Sequence, residues 1–246
     1  MKNARPESAS HSMPTVVLVH GAFADGSCWH KVIPDLEDSG YEVIAVQNPL
    51  TSFADDVATT RRVIDAQSGP VVVVGHSYGG AVITAAARNA PNVTALVYIA
   101  AFGPDEGESV GPLLEKYPSR LATSLVFDAA GFLTIDRAKF KDAFAADVPD
   151  RERRVLAATQ KPIQAQIFGH VFGPPAWRQI PSWFLVAAQD QAIHPDLERM
   201  FAKRMGAETR EVNTSHVPFI SEPAAVVEII DDAAVATRRM AAAQAV

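Results

Sequence analysis

The chain has 246 residues, 48% hydrophobic and 20% charged, with a net charge of −6 and a single cysteine. That length fits one α/β domain, or one such domain carrying an insertion. Scattered Lys and Arg in an acidic chain argue against a nucleic-acid partner, which needs clustered cations against phosphates, and one cysteine excludes an internal disulfide and any multi-cysteine metal site.

The first 13 residues, MKNARPESASHSM, are polar and lack the apolar middle of a signal peptide. They read as a disordered leader, with the cytoplasm as the default location. No apolar run reaches the roughly 18 residues that a membrane span needs, so no membrane partner is expected.

From there apolar β-rich runs alternate with helical patterns. TVVLVH (15–20) is the first expected strand. SCWHKVIPDLEDSG follows as a helix ending at Gly40, with Cys28 as a small buried hydrophobe. YEVIAVQ (41–47) is a strand, and SFADDVATTRRVIDAQ a helix opened by a capping box of Ser52 and Asp55. PVVVVG (70–75) and VTALVYIAAF (93–102) flank the helix YGGAVITAAARNA. SWFLVAAQ (182–189) and TREVNT (209–214) are the last strands, and PDLERMFAKRMG and EPAAVVEIIDDAAVATRRM the last helices. The central strands are continuous apolar runs, the pattern of parallel strands covered on both faces. The expected fold is α/β: a doubly wound, mostly parallel sheet of about six strands.

One region breaks the alternation. Residues 104–181 hold no convincing strand but several short helical pieces punctuated by proline and glycine. They read as a helical cap inserted into a core of residues 14–103 and 182–246.

The chemistry centres on GPVVVVGHSYGGAV (69–82). A serine at a sharp strand-to-helix turn sits in a strained backbone, and its neighbours collide unless glycine lies two residues before and two after. Gly75, Ser77 and Gly79 meet that spacing. The turn lifts the Ser77 hydroxyl to the carboxyl edge of the sheet, where α/β proteins bind ligands. A serine hydroxyl needs a base to act as a nucleophile. His216, in VNTSHVPFISEP between the last strand and the last helix, lies at the same edge. His170 falls in the cap, and His194 begins a helix. Asp190 stands just beyond the penultimate strand and suits the acid that orients the histidine; Asp196 and Glu198 fall in the next helix, where they favour its N-terminus. At the end of the first strand, HGA puts the N–H of Ala22 where it can face an oxyanion, with the N–H of Tyr78 as second donor. His20 and His76 read as structural. The candidate pocket aromatics are Phe23, Tyr78, Phe102, Phe127, Phe168, Phe172, Trp177 and Phe219, and Trp183 reads as core.

With these pieces together, the chain resembles an α/β-hydrolase from Thr15 onward. More narrowly it is similar to the small plant methylesterase and hydroxynitrile lyase group and its bacterial esterase-like relatives, through VLVHGAFADGSCW, VVVGHSYGGAV, AAFGPDEGES, QDQAIHPD and SHVPFISEP. The resemblance implies a triad of Ser77, Asp190 and His216, oxyanion donors Ala22 and Tyr78, small ester or lactone substrates, and neither metal nor organic cofactor. It leaves a homodimer open. A cofactor-free lyase or oxygenase using His216 as base, an acyltransferase or perhydrolase, and a non-catalytic receptor are the alternatives. The group's lyases carry threonine where this chain has Gly21, and lysine where it has Val217. An apolar valine cannot stabilise a departing cyanide.

Overall fold

The computed structural model describes residues 13–244. The leader expected over residues 1–13 lies, apart from Met13, outside them. The first half runs β1 (Thr15–Val19), α1 (Ile33–Asp38), β2 (Glu42–Val46), α2 (Phe53–Asp65), β3 (Val71–Ser77), α3 (Tyr78–Ala86) and β4 (Val93–Ala101). Then come α4 (Val110–Lys116), β5 (Leu125–Phe127), β6 (Phe132–Ile135), α5 (Phe140–Phe144), α6 (Asp150–Ala158) and β7 (Ile163–Gln164). The chain closes with β8 (Ser182–Ala187), α7 (Pro195–Met205), β9 (Glu208–Val212), α8 (Pro218–Ser221) and α9 (Pro223–Gln244).

Six strands form one sheet in the order β2-β1-β3-β4-β8-β9. Every pairing in it is parallel. β1 and β3 are buried throughout, as their continuous β-branched runs require of strands covered on both faces. The chain passes from β1 outward to β2 and returns to β3 on the other side of β1. This reversal opens a crevice beyond the carboxyl ends of β1 and β3, the usual ligand position in an open α/β sheet. Leu18, Ile83, Leu96, Tyr98 and Phe184 are fully buried around the central strands.

The local signals act as expected at several ends. Ser52 caps α2: its hydroxyl accepts from the Asp55 N–H at 3.1 Å and donates to the Asp55 carboxylate at 2.7 Å. Gly206 ends α7 in the left-handed region at φ 63°. Pro34 splits the first expected helix: a 3₁₀ turn covers Gly26–Trp29, and α1 starts only at Ile33. Cys28 and Trp183 are buried.

The insertion differs from the helical cap expected. Residues 104–181 contain a three-stranded antiparallel sheet, β5-β6-β7, beside α4, α5 and α6. PIQAQIFGHVF is no α-helix but β7 followed by a 3₁₀ turn over Ala165–Gly169. These strands have three, four and two residues, too few for alternation to register. The Asp128 carboxylate sets the β5–β6 turn by accepting the N–H groups of Ala130 (2.8 Å) and Phe132 (2.9 Å).

Candidate active site

Ser77 is the last residue of β3 and the N-cap of α3, at φ 52°, ψ −123°. That positive φ in a residue with a side chain is strain, held by the packing around it. A Cβ on Gly75 would lie 2.7 Å from the Gly79 carbonyl oxygen, and one on Gly79 would lie 2.4 Å from that of Val19. Gly75 therefore lets the start of α3 fold back on β3, and Gly79 lets the turn press against β1.

Asp190 follows β8 and is 1% exposed. Its Oδ1 accepts the N–H groups of Ala192 (2.6 Å) and Ile193 (3.0 Å). Its Oδ2 accepts from Nδ1 of His216 at 2.5 Å. That bond fixes the imidazole proton on Nδ1 and turns a lone pair out at Nε2. His216, between β9 and α8, is fully buried, and Nε2 has no hydrogen-bond partner among the described residues. The Ser77 hydroxyl is thus not bonded to it in this state. Such contacts commonly tighten only when substrate arrives.

The two expected structural histidines brace this arrangement. Nδ1–H of His20 donates to the Gly21 carbonyl at 2.8 Å, and its Nε2 accepts the Asn48 N–H at 3.0 Å. Burial holds its pKa down to about 4, so the ring is neutral. His76 Nε2–H donates to the His216 carbonyl at 2.9 Å, and burial pushes its pKa well below the usual histidine value. His194 caps α7, accepting the Asp196 N–H at 3.2 Å, and His170 stacks on Phe53.

Tyr78 opens α3, so its N–H is one of the donors a helix leaves unsatisfied. Its hydroxyl donates to Asp56 at 2.6 Å, which keeps the side chain on α2. Ala22 follows β1 at the crevice, and no backbone carbonyl engages its N–H among the described residues.

A cavity of about 340 Å³ has Val217, the residue after His216, and Phe144 in its wall, while Ser77, Asp190 and His216 themselves do not line it. The Phe144 ring meets the His216 ring edge-on at 4.8 Å. Of the aromatics expected to line a pocket, Phe23 and Phe219 do so. Phe102 instead packs on Phe201, and Phe172 on Phe53. Trp177 donates to the Pro104 carbonyl under the Arg204 guanidinium. Phe168 packs against the core, and Phe127 is 66% exposed on β5. Composition cannot say which way an irregular segment turns its rings. Phe140 and Phe144 were missed, although FKDAF puts two rings four residues apart on one helix face. Glu198, expected to favour the N-terminus of α7, is fully buried.

A family model described as the alpha/beta hydrolase family matches residues 16–229, and the chain belongs to that family. Its relatives named as esterases and hydrolases mark it as a carboxylesterase-type hydrolase. It is 34% identical over 117 residues to a carbendazim hydrolyzing esterase of a Nocardioides species, covering 42% of this chain and 48% of the relative. It is 27% identical to Methylesterase 1 of Arabidopsis thaliana over 84% of this chain and 90% of that one. A solved pyrethroid hydrolase superposes with a TM-score of 0.79 at 22% identity, over 92% of this chain and 99% of that chain. Among the described residues no helix is long and apolar enough to cross a membrane.

Proposed function

We propose that the chain hydrolyses carboxylic esters or lactones of small apolar or aromatic compounds through an acyl-enzyme on Ser77. The carrying observation is the buried His216 ring, with Nδ1 bonded to Asp190 and Nε2 without a partner among the described residues. His216 takes the Ser77 proton as the hydroxyl attacks the ester carbonyl. The Ala22 and Tyr78 amides hold the oxyanion, each such donor contributing about 3 kcal/mol to the transition state. The imidazolium, stabilised by Asp190, returns its proton to the leaving alcohol. A water deprotonated by His216 then attacks the acyl carbon and releases the acid.

The substrate class rests on the cavity. Phe23, Phe140, Phe144, Val217 and Phe219 line its apolar part, two of these five from residues 104–181, and Asp25, Ser27, His30, Glu152 and Thr159 line its polar part. Relatives named for methyl esters, carbendazim and pyrethroids agree with ester substrates. Val217, against the lysine of the group's lyases, speaks against the lyase alternative.

A fluorophosphonate is expected to label Ser77, and Ser77→Ala to abolish both labelling and p-nitrophenyl acetate turnover. Unchanged turnover in that variant overturns the mechanism.

A further inference from the structure

Behind Asp190 lies a second carboxyl group that the proposed mechanism does not use. Glu198, on the first turns of α7, is 0% exposed. Its Oε2 accepts the Ala187 N–H at 3.0 Å. Its Oε1 is buried and receives no donor among the described residues. The Asp190 N–H donates to the Ala187 carbonyl at 3.1 Å, so both acidic residues gather on Ala187, and the Asp190 charge bears on Glu198. Where two buried carboxyl groups share a site, the like charge strongly favours one of them staying protonated. Asp190 receives two amide N–H groups and the His216 ring, whereas Glu198 receives one amide.

We infer that Glu198 keeps its proton and donates it in a hydrogen bond to Asp190, as a positioning residue for the Asp190–His216 pair. The bond gives the unpartnered oxygen a role, because an acid O–H needs an acceptor and Asp190 supplies one. Burial first, then the Asp190 charge, push the Glu198 pKa well above the usual carboxylate range. The other charge bearing on it is Arg199, which is exposed and held by Glu211 and Asp196. A neutral donor fixes the orientation of Asp190 and, through the Asp190–His216 bond, that of the ring.

The inference rests on the proposed triad for its rate readout but not for its spectroscopic one. Glu198→Leu removes the donor and is expected to lower kcat about tenfold or more, leave KM unchanged and move the acid limb of the rate profile. Glu198→Gln supplies a neutral N–H donor and an acceptor for Ala187, and is expected to recover most of that loss with the acid limb where the parent has it. In the resting protein, the Nδ1 proton resonance of His216 should be displaced in Glu198→Leu and restored in Glu198→Gln, whatever Ser77 does. Should Glu198→Leu not fold, the infrared difference between parent and Glu198→Gln decides: a protonated carboxyl band at neutral pH is expected from the parent alone. Absence of that band, an acid limb moved in Glu198→Gln, or a Glu198→Leu variant matching the parent in rate and resonance overturns the inference. Turnover surviving Ser77→Ala removes the triad reading but leaves the resonance and infrared results interpretable.

Discussion

Asp147, in the segment between α5 and α6, accepts both the backbone N–H (2.9 Å) and the hydroxyl of Ser215, the residue before His216. A carboxylate from the 104–181 insertion thus holds the loop that carries the candidate base. The insertion acts on the site in two ways, by lining the cavity and by tethering this loop.

Removing that tether should be felt in rate as well as stability. Ser215 is 2% exposed, so Asp147→Ala leaves two buried donors unpaired. The expected cost is about 1–3 kcal/mol for each buried group left unsatisfied. The melting temperature should fall by several degrees, and kcat should fall more than KM changes, because His216 loses its register. A lower melting temperature with kcat intact would reduce Asp147 to a purely structural role.

Gly21 allows no side chain. A Cβ there would lie 2.7 Å from that of Ser77 and 2.9 Å from Nδ1 of His76. Gly21→Ala should therefore destabilise by about 1–3 kcal/mol, as overpacking does, and depress kcat/KM by displacing Ser77. Thermal melts and p-nitrophenyl acetate kinetics check both; an alanine variant as stable and active as the parent contradicts the contact.

His20 predicts an acid-side loss of stability. Its folded pKa is about 4 against 6.5 in the unfolded chain. Between those values the unfolded state binds more protons, so stability rises with pH. The contribution is complete above pH 6.5 and is lost as pH falls towards 4. The depression corresponds to about 3 kcal/mol, and His76 adds in the same direction. Urea unfolding at pH 7 and pH 4.5 measures it; equal midpoints would mean that His20 is not buried as a neutral ring.

Much of the fold is legible because the six sheet strands are long, apolar and separated by capped helices. Each expected strand lies within two residues of the observed one at either end. The candidate triad is legible for a related reason: Ser77 ends a strand, Asp190 and His216 each follow one, and parallel strands end on one edge. The insertion is different. Its strands of two to four residues carry no period, and its aromatics sit on irregular backbone whose direction only packing sets. Glu198 carried one faint signal, a glutamate beside Leu197, Phe201 and Ala202 on the buried face of α7.

Chain order alone determined that three reactive side chains reach one sheet edge, because a parallel sheet sorts every strand end by direction. Only the tertiary structure decided what surrounds them: that Asp190 has a second carboxyl behind it, that Asp147 holds the loop of His216, and that Phe140 and Phe144 rather than Phe127 or Trp177 wall the cavity. Those relations join residues far apart in the chain, through contacts that no local periodicity encodes.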